Sequence, residues 1–219
     1  MRLYELNDFT VTTEGVNDPN IFKAVFMAGA PGSGKTTVAN QLFSGSGLKH
    51  LNVDRFWQLY KSKEQEGDYE KFWDKYQAQD NLYTQGRLGL LIDGTAKNPI
   101  KMNDVKHRLE SMGYETAMVF VNTDLETAIK RAQKRASTPG PDMGRELDTK
   151  FIEDAWNRTQ KALGNYQSMF GDRFYIIDNS NKSMTSSLDY AERQLRQWLS
   201  APPKNPIAKK WIQQQRDIS

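Results

Sequence analysis

A glycine-rich stretch near the N-terminus holds the residues best suited to chemistry in this sequence. Gly29–Thr36 fits the pattern G-x-x-x-x-G-K-[ST], and the apolar run Ala24–Ala28 precedes it. Glycines allow backbone dihedrals that other residues avoid, so that successive N–H groups can surround a phosphate. A helix that begins near Gly34 would direct the positive end of its dipole at the same anion. The pattern therefore predicts a loop that binds the phosphates of a nucleoside triphosphate.

Individual loop residues have distinct roles in this interpretation. Lys35 would reach the β- and γ-phosphates, and the Thr36 hydroxyl would hold Mg²⁺. A glycine-rich turn could match by chance, but the helical spacing of Val38, Leu42 and Phe43 supplies the helix that the motif requires. The residues expected to bind ATP are Gly29, Ala30, Pro31, Gly32, Ser33, Gly34, Lys35, Thr36 and Thr37.

Asp54 is a second candidate, because it directly follows a short predicted strand, 48–53. A carboxylate there can accept the proton of a substrate hydroxyl as that hydroxyl attacks the γ-phosphate. The alternatives are an N-cap for the segment that begins at Arg55 and a water-bridged partner of Mg²⁺. We favour the general base, since one carboxylate can both cap a helix and act in catalysis. Arg55 is then an expected substrate contact.

Asp93 ends the apolar run Leu88–Ile92, and an acid after such a strand is the Walker B pattern. Its expected role is to be an outer ligand of Mg²⁺, on the same ion as Thr36. Thr95 and Lys97 lie just beyond it, in a loop that could contact the acceptor. A solvated surface lysine is an equal alternative for Lys97.

Three arginines surround an irregular segment in the second half of the chain. Arg131 and Arg135 are one helical turn apart and share a face. With Arg145 they bracket 137–144, which contains two prolines and two glycines. This arrangement favours a lid, at about 131–147, that closes over phosphates and neutralises transition-state charge. The alternative is a solvated basic face, because lysines lie in the same helix.

Strands and helices alternate along the chain, and this order positions the candidate residues. Strands are predicted near 24–28, 48–53, 88–92, 117–121 and 174–177, and helices near 98–112, 124–132, 148–169 and 188–199, with N-caps at Asn98 and Asp124. The alternation indicates an α/β fold with a mostly parallel sheet of about five strands and helices on both faces. Ligands of such sheets lie beyond the C-terminal ends of the strands. We therefore expect the phosphate loop, Asp54, residues 93–97 and residues 122–123 on one rim.

Aromatic residues are concentrated between Phe56 and Tyr83. A surface that stacks on nucleobases is one interpretation of this segment. We favour the other, an amphipathic helix that packs on the sheet, because the aromatic residues follow a period near 3.6.

Composition limits the class of protein. The chain has 219 residues, of which 37% are hydrophobic and 26% charged, as expected for one globular domain. We divide it into an N-terminal extension (1–20), the main domain (21–200) and a tail (201–219). A net charge of +3 permits acidic partners without requiring them.

Several site types and locations are excluded or disfavoured. The absence of cysteine excludes disulfides and cysteine zinc sites, and the two histidines are too far apart in sequence to suggest a metal site. No apolar run is long enough to span a membrane, and no signal-peptide pattern is present. We expect a cytoplasmic location, in the host cytoplasm if the protein is encoded by a phage.

Four motifs together resemble the small P-loop kinases grouped around zeta toxins and polynucleotide 5′-kinases. They are Gly29–Thr36, Asn52-Val53-Asp54, Leu91–Thr95 and the arginines of the predicted lid, and the resemblance runs from about residue 22 to 180. Asp93 and Lys97 stand where zeta toxins carry a glutamate and an arginine, whereas the lid looks more like that of the polynucleotide kinases. The resemblance implies a three-layer P-loop NTPase fold, ATP and Mg²⁺ as cofactors, and a kinase.

The sequence therefore predicts a kinase that transfers the γ-phosphoryl group to a hydroxyl of a nucleotide, a nucleotide sugar or a nucleic-acid end. Lys35 and the loop hold ATP, Asp54 is the base, and Arg131, Arg135 and Arg145 close on the phosphates. A rival from another class is a nucleotide-dependent switch or slow NTPase without an acceptor. An inactive relative that is retained for binding is a third possibility.

Overall fold

The computed structural model describes residues 15–53, 56, 57, 60, 69–94, 98–137, 147–180 and 184–218. The strands are β1 (Lys23–Ala28), β2 (Lys49–Asn52), β3 (Leu90–Asp93), β4 (Glu115–Asn122) and β5 (Phe174–Asp178). The helices are α1 (Lys35–Phe43), α2 (Tyr69–Gln85), α3 (Pro99–Ser111), α4 (Leu125–Ser137), α5 (Thr149–Lys161), α6 (Leu163–Phe170), α7 (Met184–Ser200) and α8 (Pro206–Ile218). Short 3₁₀ turns occupy Gly15–Asn17 and Gly171–Arg173.

The five strands form one parallel sheet in the order β2-β3-β1-β4-β5. The central strand β1 is buried along its whole length, which explains its continuous apolar sequence. Each connection between neighbouring parallel strands must cross over, and the helices make these crossovers. The predicted α/β fold with a parallel sheet of about five strands is confirmed.

Two hydrophobic cores lie on opposite faces of the sheet, because alternate residues of a strand point to opposite sides. Phe26 belongs to one core, with residues of α3, α6 and α8. Val25 and Met27 belong to the other, with residues of α1 and α7. Helices therefore cover both faces, as predicted. In the parts of the chain that the model describes, no helix is both long enough and apolar enough to span a bilayer.

The predicted N-caps at Asn98 and Asp124 are confirmed. Asn98 Oδ1 accepts a hydrogen bond from the Lys101 N–H at 3.2 Å, and proline follows as the first helical residue. Asp124 Oδ1 accepts from the Thr127 N–H at 2.7 Å. Such side chains satisfy N–H groups that have no partner within the helix.

The single long helix predicted over 148–169 is in fact two helices, α5 and α6. They meet at Ala162, whose ψ of −10° departs from α-helical geometry and whose N–H bonds back to Arg158 and Gln160. The two halves pack against different partners: Ile152 of α5 contacts α4, whereas Tyr166 of α6 enters the core on the sheet.

The aromatic segment packs largely on itself. Phe72 of α2 is 1% exposed, and the rings around it include Trp57, at a centroid distance of 4.7 Å. The other members of this aromatic cluster are Phe56, Tyr60, Tyr69, Trp73 and Tyr76. Only farther along α2 does an aromatic side chain, Tyr83, pack against the core of the sheet. The predicted packing of this helix on the sheet therefore applies to its C-terminal half.

A buried ion pair ties the C-terminal segment to the N-terminal ends of β1 and β4. Lys23 Nζ and Glu115 Oε2 are 2.6 Å apart, and the two residues are 1% and 8% exposed. Glu115 also accepts hydrogen bonds from Trp198 Nε1 and from the Lys204 N–H. The proline-containing linker is held by this carboxylate, and α8 follows it onto the sheet.

The electrostatics of the pair follow from its burial. Burial lowers the pKa of Lys23, which the Glu115 carboxylate partly opposes. Burial acts to raise the pKa of Glu115, but the hydrogen bonds from Lys23 and Lys204 outweigh it and hold that pKa below its usual value. Removal of either charge would leave the other in the interior without a partner.

We predict that Glu115→Gln lowers the free energy of unfolding by about 3–5 kcal/mol, because it leaves the Lys23 ammonium buried without a counter-charge. Urea denaturation followed by circular dichroism measures this change. Glu192→Gln is the control, since it breaks the exposed Arg196–Glu192 pair on α7, and such pairs contribute about 0.5 kcal/mol or less. Equal losses in the two variants would contradict a special role for the buried pair.

Candidate active site

The phosphate loop connects β1 to α1, and two of its glycines are required by their surroundings. Gly32 and Gly34 have φ angles of +80° and +91°, values that side chains strongly disfavour. A Cβ on Gly32 would collide with the Ala128 carbonyl, and a Cβ on Gly34 would collide with the side-chain amide of Asn179. The close approach of Ala128 and Asn179 therefore requires glycine at both positions.

Lys35 lies over the loop that precedes it. Its Nζ donates hydrogen bonds to the carbonyl oxygens of Gly29, at 2.8 Å, and Ala30, at 3.2 Å. Thr36 and Thr37, in the first turn of α1, are exposed. One ammonium and two hydroxyls thus flank a main-chain loop at a helix N-terminus, and this combination suits a polyphosphate.

Asp93 lies beside the loop because β3 pairs with β1, with Met27 opposite Asp93 in the register. Its side chain is 8% exposed. The Asn52 amide donates to Asp93 Oδ2 at 2.6 Å, and His50 Nε2 is 3.7 Å from the same oxygen. Within the described residues, Asp93 Oδ1 is buried without a hydrogen-bond partner.

An unpartnered buried carboxylate oxygen is costly, and a cation or cation-bound water next to it would remove that cost. Carboxylate and hydroxyl oxygens are ligands that Mg²⁺ accepts, usually together with substrate phosphates. Asp93 and the exposed Thr36 hydroxyl therefore fit the Mg²⁺ site expected from the sequence.

Arg131 and Arg135 lie on α4 in different surroundings. Arg131 is half-buried, and its Nη1 donates to the Asn179 carbonyl oxygen at 2.9 Å. Arg135 is exposed one turn farther along. Asp124 caps this helix, and the hydrogen bond from the Thr127 N–H holds the pKa of Asp124 below its usual value. The cap therefore remains a carboxylate near neutral pH.

A second layer of hydrogen bonds supports the rim positions after β4. Trp156 Nε1 donates to the Thr123 carbonyl oxygen at 2.8 Å, and Gln160 Nε2 donates to Asn122 Oδ1 at 2.7 Å. Both donors are on α5, so this helix fixes the turn from which α4 begins. Residues 122 and 123 lie on the predicted rim, and the bonds that they make here are to the scaffold.

Two residues of the site, Asn52 and Asn179, make contacts that the sequence does not predict. Asn52 belongs to the Asn52-Val53-Asp54 motif, but its contact with Asp93 depends on β2 lying next to β3. Asn179 directly follows β5, among polar residues that carry no motif. Its Nδ2 nevertheless donates to the Ser33 carbonyl oxygen at 2.7 Å. No spacing in the sequence joins residues 146 positions apart.

The structure brings part of the predicted site together. Lys35, Thr36 and Asp93 lie at the C-terminal edge of β1 and β3, and Arg131 Nη1 is 3.9 Å from where a Cβ on Gly34 would lie. Five other predicted site residues are outside the described residues: Asp54, Arg55, Thr95, Lys97 and Arg145. Most of the predicted lid, 138–146, is outside them as well.

Comparison of the sequence with protein families gives a match. A family model described as Zeta toxin matches residues 10–187. No curated protein matches the chain significantly. The matched range includes the phosphate loop, Asp93 and α4, so the resemblance seen in the sequence is confirmed.

Solved structures share the fold. A protein described as a kinase from Chloroflexus aurantiacus J-10-fl superposes with a TM-score of 0.58 at 13% identity, covering 80% of this chain and 97% of the other. A gluconokinase from Sinorhizobium meliloti 1021 gives a TM-score of 0.52 at 13% identity, with 82% and 97% covered. A chain of the Pnkp1/Rnl/Hen1 RNA repair complex gives 0.54 at 20% identity, with 69% of this chain but only 47% of that chain covered.

We predict that Asn52→Leu raises the Mg²⁺ concentration needed for ATP binding by about tenfold or more, because partners that orient a metal ligand typically contribute that much. The substitution removes the donor to Asp93 Oδ2 and keeps the side-chain size. Calorimetric titration with ATP at a series of Mg²⁺ concentrations measures the effect. Asn81→Leu, at an exposed position of α2, is the control and should leave the requirement unchanged. An unchanged requirement in Asn52→Leu would show that this amide does not orient a Mg²⁺ ligand.

Proposed function

The chain belongs to the zeta-toxin family, and from this membership we propose an ATP- and Mg²⁺-dependent kinase that phosphorylates a hydroxyl of a nucleotide-type acceptor. The observation that carries the proposal is the register of β1 and β3, which places the buried Asp93 carboxylate beside the phosphate loop. A loop alone would bind many anions. A loop beside a carboxylate oxygen that has no hydrogen-bond partner among the described residues suits a phosphate–metal pair.

In the proposed reaction, the residues of the loop bind the phosphates of ATP. ATP supplies the transferable phosphoryl group, and Mg²⁺ bound with it offsets charge on the phosphate oxygens. The Lys35 ammonium and the main-chain N–H groups would hold the β- and γ-phosphates. Negative charge on the phosphate oxygens is redistributed in the transition state of phosphoryl transfer. An ammonium positioned for that distribution stabilises the transition state more than the ground state.

Asp54 is proposed as the general base. It follows Asn52 by two residues, and two residues of chain span at most about 7 Å. Since the Asn52 side chain contacts Asp93, the chain enters this segment next to the metal side of the site. A carboxylate there can take the proton of the attacking hydroxyl. Arg55, Thr95 and Lys97 are proposed acceptor contacts.

The arginines are proposed to neutralise charge during transfer. Arg131 is held near the loop through Asn179, and Arg135 lies one turn away on the same helix. Together with Arg145 they would form the lid over the transferred group. Arginine is suited to this task because its planar guanidinium donates two parallel hydrogen bonds to phosphate oxygens.

A polynucleotide 5′-hydroxyl kinase is the second candidate. The sequence feature that favours it is the lid pattern with two arginines one turn apart, together with Arg55. The net charge of +3 and the lack of a dense basic block favour a smaller acceptor, which we prefer. A nucleotide switch without an acceptor is the alternative from another class. A switch needs no base for an acceptor hydroxyl, so a catalytic role of Asp54 would favour the kinase.

We predict that Asp54→Asn abolishes phosphoryl transfer and leaves ATP affinity nearly unchanged, because a general base acts on the acceptor hydroxyl and not on the nucleotide. Calorimetry gives the affinity, and transfer of label from γ-labelled ATP gives the rate. Lys35→Ala should also lose at least about a hundredfold in transfer, since a donor to the transition state is removed. Asparagine caps a helix as well as aspartate does, so full activity in Asp54→Asn would assign the residue to capping alone.

The acceptor class is testable by salt dependence. We predict that labelled ATP, offered with UDP-amino sugars, nucleosides and 5′-hydroxyl oligonucleotides in parallel, labels a small nucleotide-type acceptor with a shallow dependence on salt. A polynucleotide releases counterions when it binds, so its labelling should fall steeply between low and high salt.

Efficient and salt-sensitive labelling of the oligonucleotide alone would replace our preference with the polynucleotide kinase. ATP hydrolysis without labelling of any acceptor would instead favour the switch. The Lys35→Ala variant, run on the same panel, controls for contaminating kinases.

A further inference from the structure

Asn179 contacts both the phosphate loop and the arginine-bearing helix α4. It directly follows β5, and its backbone N–H donates to the Asn122 carbonyl oxygen at 2.8 Å. This bond continues the pairing of β4 with β5 one residue beyond the strand. The position of its side chain is therefore set by the sheet.

The side chain of Asn179 holds one peptide plane of the loop. Its Nδ2 donates to the Ser33 carbonyl oxygen at 2.7 Å. In a planar trans peptide, the Ser33 carbonyl and the Gly34 N–H point in opposite directions. A donor that fixes the carbonyl from outside the loop therefore directs the Gly34 N–H to the other side, as a loop that surrounds a phosphate requires.

Gly34 and Asn179 fit closely. A Cβ on Gly34 would overlap Asn179 Nδ2, so any other residue would displace the amide from the loop. Glycine is thus needed here for the contact as well as for the φ of +91°.

Asn179 holds Arg131 through a different atom. Its backbone carbonyl oxygen accepts a hydrogen bond from Arg131 Nη1 at 2.9 Å, and the Thr123 hydroxyl donates to the same oxygen at 3.4 Å. A guanidinium has five N–H donors, so this bond leaves others available for phosphate oxygens. The same residue therefore fixes a loop peptide with its side chain and a lid arginine with its backbone.

We infer that Asn179 is a positioning residue, which sets the Gly34 N–H and the Arg131 guanidinium relative to each other so that both reach one triphosphate. The inference rests on the proposed function, because it takes ATP as the ligand of the loop. It concerns the binding of ATP, and the identity of the acceptor does not enter.

The test measures ATP affinity of the full chain by calorimetry, with Mg²⁺ and without acceptor, at a temperature at which circular dichroism shows the variants to be folded. Asn179→Ala removes the donor to Ser33, and Asn179→Leu removes it at similar size. We expect each to weaken ATP binding by about tenfold or more. Ser180→Ala is the matched control: its Oγ accepts from the Asp124 N–H at 3.1 Å, and the expected change is below about twofold.

A double-mutant cycle separates positioning from general support of the fold. Arg131→Ala is measured alone and together with Asn179→Ala. Asn179→Ala keeps the backbone carbonyl that binds Arg131 and removes only the side-chain bond to the loop. A double variant that loses less affinity than the product of the two single losses therefore shows that the side-chain bond also positions Arg131 relative to the loop. A purely structural role would lower the thermal midpoint and leave the ATP affinity of the folded protein unchanged.

Folded Asn179 variants that bind ATP as the unaltered chain does would overturn the inference. The result is distinguishable from failure of the proposed function. A chain that binds ATP and labels no acceptor contradicts the kinase alone, and the Asn179 measurements still stand. A chain that does not bind ATP overturns both.

Discussion

The pairing of β1 with β3 on one side and β4 on the other is the constraint on which the site depends. All five strands run in the same direction, so their C-terminal ends meet at one edge. Because β1 is buried on both faces, a shift of its register would exchange residues between two cores, and the register is strongly specified. That register places Met27 opposite Asp93, which brings the Asp93 carboxylate next to the phosphate loop.

Neutral amides orient the charged and polar groups at this edge. Asn52 donates to Asp93, and Asn179 donates to the Ser33 carbonyl. A lysine or arginine in either place would also donate, but it would neutralise the carboxylate or compete for the phosphates. An amide fixes the direction of an acceptor and leaves the charge of the site unchanged, so that the Asp93 carboxylate stays available to a cation.

The buried ion pair and the phosphate loop lie at opposite ends of the strands. The buried Lys23–Glu115 pair lies at the N-terminal ends of β1 and β4, where it holds the linker to α8. Trp211 of α8 packs edge-on against Phe22 at a centroid distance of 5.5 Å. A buried pair of this kind is costly to break, and it is remote in the fold from the loop. Substitutions there should therefore alter unfolding without altering the phosphate site.

The sequence by itself determined the features that depend on neighbouring residues. Periodicity and apolar runs specified the alternating strands and helices, and the loop motif specified Lys35 and Thr36, because these interactions are local. The break at Ala162 and the self-packing of the aromatic cluster were decided by the tertiary structure, since each depends on which surfaces lie within reach. The same holds for Asn52 on Asp93 and Asn179 on Ser33: such contacts arise only when the order of strands is set, and that order follows from how the helices bury both faces of the sheet.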